Sequence, residues 1–316
     1  MEIKTVALIG LGAIGSVLAP GLVDALGQDN LRIICDGQRK KRMEQGVTIN
    51  GTKYHFRLTE PSDSSLPPAD LVILAVKYTQ LVQAREDIRY QVGPDTILIS
   101  FLNGVTSEEI LAQTYGWERI VFGFARISSQ RDAAGVRYDM KNGQMIFGEK
   151  TNAAGAHSPR VQAVEALFAK AGIRSYVPDD MIREQWFKFM CNVSENQSSA
   201  ILGIPFGAWR DSEDANFVRE AAAREVLAIA NKKGIALTEE MLQKQRIAYK
   251  ERIPYPNKTS MLQDIEEGRP TEVDMFAKVI MELGKELGIP TPVNEIFYHS
   301  IRVLEQKNSG FIRIEK

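Results

Sequence analysis

Residues 10–15 read Gly10-Leu11-Gly12-Ala13-Ile14-Gly15, directly after the apolar run Val6-Ala7-Leu8-Ile9 and at the head of a helical stretch. Glycines at this spacing suit a phosphate cradle. The first permits a tight turn, the second lets the backbone approach a pyrophosphate, and the third lets helix pack on strand, with the first helical N–H groups, those of Ala13 and Ile14 among them, turned to the anion. A glycine-rich turn without a ligand would carry the same residues. Here Asp36 also closes the next apolar run, near the ~20-residue offset at which dinucleotide sites hold a ribose. Strand, helix, N-terminal position and acid together indicate a dinucleotide. A carboxylate at Asp36 can accept both ribose hydroxyls of NAD and would repel the 2′-phosphate of NADP. NAD(H) is therefore favoured. NADP(H) stays open because Arg39-Lys40-Lys41-Arg42 follows, although such runs are commonly a solvated helix start.

Ligands of doubly wound sheets lie at the carboxyl ends of the strands, and Val76-Lys77 and Asn103-Gly104 stand at two such ends. Lys77 could reach the cofactor or a substrate carboxylate, and Asn103 a ribose or the nicotinamide amide; each also fits an ordinary turn. Farther on, Lys188, Asn192 and Asn196 repeat every four residues among aromatic side chains. On an α-helix they share a side, drifting about 40° per step. Asparagine is a poor helix former, so the alignment needs a reason. One is a buried polar network, or a Glu184–Lys188 ion pair with two capping asparagines. The other is a hydride-transfer site, where an ammonium protonates a developing alkoxide and amides orient the substrate. Spacing does not choose between them. A second constellation runs from Lys258 through Ser260 and Asp264 to Glu272. Ser260 and Asp264 fall on one helix face; Ser260 also suits an N-cap, and Thr271 a cap that would put Glu272 in a first turn, where a carboxylate is favoured by the dipole.

These residues need two kinds of scaffold. The first half alternates β-rich apolar runs with amphipathic stretches, the pattern of a parallel sheet covered by helices. Strands are expected at Thr5–Gly10, Leu31–Cys35, Leu71–Val76, Thr96–Phe101 and Ile120–Phe124. Gly135 and Asn142-Gly143 then signal a hairpin between Arg126 and Gly148, a helix spans Pro159–Ala171, and a last strand, Ile173–Val177, ends at Pro178-Asp179-Asp180. From Met181 on, helical stretches such as Ala215–Lys233, Thr238–Ile253 and Glu272–Leu287 follow one another with glycine or proline breaks. The expected architecture is α/β: an N-terminal doubly wound, Rossmann-type domain over residues 1–178 and a C-terminal all-α domain over 179–316.

A chain of 316 residues with 44% hydrophobic content can fill two cores. Its formal net charge of −1 offers no field for nucleic acid or an anionic membrane. No apolar run approaches the ~20 residues of a membrane span, and no signal peptide is apparent. Cys35 and Cys191 are far apart in apolar stretches, reading as small buried side chains in a reducing compartment, so a cytoplasmic location is expected. His55, His157 and His299 lack metal-ligand spacing; no metal is expected.

Taken together, the glycine motif, Val76-Lys77, Asn103-Gly104, the Lys188-Asn192-Asn196 stripe and the stretch from Ser260-Met261-Leu262-Gln263-Asp264 to Glu272 resemble the ketopantoate reductase family (2-dehydropantoate 2-reductases) in order and approximate spacing, over nearly the whole chain. The resemblance implies reduction of 2-dehydropantoate to (R)-pantoate in pantothenate biosynthesis. Lys188 would be the general acid at the C2 carbonyl, and Glu272 its catalytic companion, contacting the substrate's far hydroxyl or supporting the lysine. Asn192, Asn196 and Ser260 would hold the keto acid, and Lys77 and Asn103 would serve the cofactor; self-association would give a homodimer. Two positions depart from the family's common pattern. Asp36 stands where NADPH-using relatives carry arginine, and Leu102 where glutamine is common. The same superfamily includes NAD-dependent D-2-hydroxyacid dehydrogenases acting on branched or aromatic 2-keto acids, which is the alternative reading. A third, non-catalytic reading is an NAD(H) sensor whose helical half only dimerises.

Overall fold

The computed structural model describes residues 2–312 apart from 128, 133, 140–142, 154 and 252, so the Asn142 turn signal lies outside the described residues. It forms two compact units, Met1–Ile182 and Arg183–Lys316. In the first, the described residues form twelve strands: β1 (Val6–Ile9), β2 (Leu31–Ile34), β3 (Val47–Ile49), β4 (Thr52–Tyr54), β5 (Arg57–Thr59), β6 (Leu71–Leu74), β7 (Ile97–Ser100), β8 (Ile120–Arg126), β9 (Ser129–Asp132), β10 (Gly135–Tyr138), β11 (Gln144–Gly148) and β12 (Ser175–Tyr176). Eight form one sheet in the order β12-β11-β8-β7-β6-β1-β2-β5, and β4-β3-β10-β9 form a second. From β8 to β5 all pairings are parallel, and β11 is antiparallel to β8.

The central strands Val-Ala-Leu-Ile, Leu-Val-Ile-Leu and Ile-Leu-Ile-Ser are buried at every residue, as a parallel sheet covered on both faces requires. Alternate side chains enter separate cores. Val6, Leu8, Ile33, Ile73 and Ile99 pack with Val17, Leu18 and Leu22 of α1 (Ala13–Leu26). Ala7, Ile9, Ile34, Val72 and Leu98 pack on the other face with Leu81 of α3 (Leu81–Asp87) and Leu111 of α4 (Ser107–Tyr115). Helix α2 (Gly37–Glu44) starts just past β2, and α5 (Pro159–Lys170) is capped by Ser158, whose hydroxyl accepts from the Val161 N–H. The expected hairpin is there as β9–β10, and it joins the sheet of β3 and β4. The edge of this unit lies past Pro178 because Thr151 bridges Asp180 and the Met181 N–H donates to the Lys150 carbonyl at 3.2 Å.

In the second unit, the described residues form helices and no strand. They are the continuation of α6 (Met181–Cys191), a π-helical turn (Asn192–Asn196), α7 (Gln197–Leu202), α8 (Ala208–Asp211), α9 (Glu213–Lys232), α10 (Glu239–Glu251), α11 (Ser260–Glu266), α12 (Ala277–Leu287) and α13 (Pro292–Asn308). Ser212 caps α9 through the Ala215 N–H at 3.1 Å, and α9 buries Ala222, Ala223, Val226, Ile229 and Ala230. Small residues there let neighbouring helices approach closely. No helix among the described residues is long and apolar enough to cross a membrane.

Candidate functional site

The glycine turn is shaped by three different constraints. Gly10 has φ +95°, and a Cβ there would stand 2.6 Å from the Ala75 carbonyl. At Gly15 a Cβ would come within 2.0 Å of the Gly10 oxygen, whereas at Gly12 it would meet nothing within 4 Å. Two glycines are thus dictated by the fold, and the third borders open space. Helix α1 follows with half-buried Ala13 and Ile14 and no acidic residue in its first turn, so its leading N–H groups and dipole are suited to an anion. Because β1 lies between β6 and β2, and β7 follows β6, the carboxyl edge of the sheet carries Asn103, Lys77, the glycine turn and Asp36 in that spatial order. Such an edge fits a dinucleotide.

Asp36 precedes α2 without capping it and is exposed. Lys40, within the basic run, donates to Glu60 Oε1 at 2.7 Å, which keeps its pKa raised and occupies one cation that a 2′-phosphate would need. Lys77 is exposed at the head of the short turn Tyr78–Gln80, and Asn103 is half-buried next to Gly104, at φ +93°. Cys35 is buried, and loss of solvent pushes its thiol up to about 11; Cys191 is only half-buried, short of the full burial expected. Among the described residues no group of three or more His, Cys, Asp or Glu could hold a metal ion.

In the second unit, the structure replaces the expected uninterrupted α-helix with a π turn inside the polar stripe. A turn closed by i→i+5 bonds rotates less per residue than an α-helix, so the step from Asn192 to Asn196 falls short of a full turn instead of overshooting it. The cause is local. Ser194 Oγ donates to the Met190 carbonyl at 2.8 Å, Gln197 Nε2 to Val193 at 2.7 Å and Ser198 Oγ to Ser194 at 2.6 Å. Side-chain donors at i−4 compete with the main chain and distort the helix. Lys188 and Asn192 are half-buried and Asn196 is buried.

Asn196 Nδ2 donates to Ser260 Oγ in a long hydrogen bond of 3.4 Å. The cap of α11 is Thr259, not Ser260: Thr259 Oγ1 accepts from the Leu262 N–H at 3.2 Å, leaving Ser260 exposed at the first helical position. Asp264, on the same helix, is buried and accepts from Arg269 Nε at 2.8 Å. The helix expected from Glu272 onward starts later. Thr271 heads a turn, donating to Glu305 Oε1 through its N–H and hydroxyl at 2.8 and 2.7 Å. The Glu272 carbonyl accepts from Met275 and Phe276 N–H, and α12 begins at Ala277, whose N–H donates to Gln197 Oε1 at 3.1 Å. The Thr271 hydroxyl accepts from the Val273 N–H, at 3.3 Å, within the preceding turn. Phe276 lies 6.4 Å from Phe189, ring to ring, which ties the Glu272 segment to the helix of Lys188. Glu195, buried inside the π turn, falls outside the four-residue spacing of the stripe; its signal in the sequence is the unbroken polar run Ser194–Ser199 within a helix.

Both units match known proteins. Residues 6–152 fit the model of the ketopantoate reductase PanE/ApbA family, and residues 180–305 fit that of its C-terminal domain. A 2-dehydropantoate 2-reductase of Mesorhizobium japonicum is 27% identical over 336 residues, covering 95% of this chain and 97% of that one. The uncharacterised oxidoreductase YkpB of Bacillus subtilis is 24% identical, covering 94% and 98%. Among solved structures, D-mandelate dehydrogenase with NADH and anilino(oxo)acetate superposes with a TM-score of 0.85 at 20% identity, covering 96% of this chain and 99% of that one. A PanE/ApbA family ketopantoate reductase from Ralstonia eutropha superposes with a TM-score of 0.79 at 23% identity, with the same coverage. At these identities the superpositions establish the fold; the matches to both domain models carry the assignment, and this chain belongs to the ketopantoate reductase family.

Proposed function

We propose that this protein is a reductase of 2-dehydropantoate, producing (R)-pantoate with NADH as the preferred reductant. The observation that carries the reading is the joining of Asn196 to Ser260 on the helical segment that also bears Lys188 and Asn192. Bound dinucleotide would supply a hydride for the C2 carbonyl carbon. In the reading, the Lys188 ammonium hydrogen-bonds the carbonyl oxygen and gives it a proton as negative charge develops, leaving a neutral amine that solvent reprotonates. Asn192, Asn196 and Ser260 hold the keto acid, and Glu272 meets its far hydroxyl or steadies the lysine. Gly10, Gly12, Ala13, Ile14 and Gly15 cradle the pyrophosphate, Asp36 takes the ribose hydroxyls, and Lys77 and Asn103 serve the remainder of the cofactor.

A second reading is supported by Asp36, exposed at the end of β2, together with the fold shared with a D-mandelate dehydrogenase: an NAD-dependent D-2-hydroxyacid dehydrogenase for branched or aromatic 2-keto acids. Initial rates with NADH and NADPH against 2-dehydropantoate, 2-oxoisocaproate and phenylglyoxylate separate the two. Negligible turnover of 2-dehydropantoate beside brisk reduction of either other acid would overturn the first reading.

A further inference from the structure

Glu195 shares the π turn with Asn192 and Asn196 but belongs to a different environment. Its Oε1 accepts from Gln245 Nε2 of α10 at 2.5 Å, the Cys191 thiol donates to it from one turn earlier, and the positive charge of Arg219 on α9 acts upon it. The other charged groups of this neighbourhood are already paired. On α9, Glu220 takes Arg219 at 3.1 Å and Arg224 at 3.1 Å; Arg246 of α10 reaches Glu220 at 3.9 Å and also pairs with Glu213; Asp264 of α11 is held by Arg269. A carboxyl group is an expensive occupant of such a place. A leucine would fill the volume between helices at lower cost.

We propose that Glu195 is a positioning residue for the polar stripe: hydrogen-bonded by Gln245, with the charge of Arg219 acting on it, it holds the π turn in the register that sets Asn196 against Ser260. The inference rests on the reading of that stripe as the keto-acid site. Main-chain geometry makes the link short, since Glu195 and Asn196 are adjacent and a rotation of the turn that releases one must turn the other. Ionisation of the same group supplies a handle. Burial is the main cause that pushes its carboxyl up to about 7, partly offset by Arg219, Gln245 and Cys191. The group is therefore charged and attracted to Arg219 above that pH, and neutral below it. Relative to an ordinary glutamate near ~4.3, the folded state retains the proton more tightly, so the stability it confers is full below about 4.3 and is lost as pH rises from there through about 7. A charged Glu195 thus costs stability while it fixes the turn.

The test is the pair Glu195→Gln and Gln245→Leu in the full chain, with KM and kcat for the best 2-keto acid from pH 6 to 8.5, and melting temperature over the same range. The neutral glutamine mimics the protonated carboxyl. Wild-type KM is expected to rise on going below about pH 7, reaching a value that Glu195→Gln shows at every pH, roughly tenfold above the wild type at pH 8, with kcat changed less. Gln245→Leu should shift KM in the same direction. At pH 8 Glu195→Gln should melt no lower than wild type. Parallel KM profiles for wild type and Glu195→Gln, or a KM change accompanied by a lower melting temperature at pH 8, would overturn the proposal. A wild type inactive on every 2-keto acid would instead remove the functional reading. In that case the Asn196 side-chain amide resonances decide: a shift with a midpoint near pH 7 that vanishes in Glu195→Gln supports positioning, and identical spectra in both overturn it.

Discussion

At residues 10–15 the proposed binding surface is made by leaving side chains out; at residues 188–196 the proposed one is made by crowding polar side chains in. The first keeps its backbone ordered and needs glycine because Ala75 and Gly10 themselves stand where Cβ atoms would go. The second bends its backbone into a π turn, held by serine and glutamine donors. A surface of backbone N–H groups can recognise what many ligands share, a pyrophosphate. A surface of side chains can be altered residue by residue, and it is the natural seat of differences between substrates.

The largest expected effect separates the two surfaces by chemistry. Lys188→Ala should lower kcat by ~10² to 10⁴-fold, the usual cost of losing a positioned acid, and leave NADH affinity unchanged in a fluorescence titration; activity within a few-fold of wild type would end the catalytic reading. Next, the glycines can be set against one another. Gly15→Ala drives a Cβ into the Gly10 carbonyl and should destabilise the fold by about 2 kcal/mol or more, visible in a urea melt. Gly12→Ala should melt like wild type and still weaken NADH, because only the ligand would fill that space. Equal melting of the two variants would break the distinction. Asp36→Arg should move the NADH/NADPH preference toward NADPH by about tenfold or more, as a like charge is replaced by an attractive one; an unchanged ratio would remove the charge argument. The smallest effect is on α11: Thr259→Ala should cost ~1 kcal/mol through the lost cap, while Ser260→Ala should spare stability and raise KM for the keto acid.

How legible each region is in sequence follows from the same contrast. The glycine motif announces itself because its spacing is set by backbone sterics next to a strand of four apolar residues. The central strands β1, β2, β6 and β7 are equally plain, being buried on both faces. The strands β3, β4 and β5 escape notice since three residues are too few to show a period, whereas β12 lies inside the expected strand Ile173–Val177. In the helical unit, the four-residue spacing of Lys188, Asn192 and Asn196 is as compatible with an α-helix as with a π turn; what breaks the ladder is a set of i−4 bonds that spacing does not display. At the start of α12 a tertiary partner that local sequence does not display is present: Gln197, eighty residues earlier in the chain, receives the Ala277 N–H.

The π turn also has a meaning for descent. A helix with one extra residue in a turn is what a one-codon insertion leaves behind, and its reversal is as simple. Deleting one residue between 192 and 196 would let an α turn replace the π turn, with no loss of helical content and with the helix on either side left in place. Members of the family that differ by such a single-residue event would keep the same fold and differ in the side chains that this one turn presents.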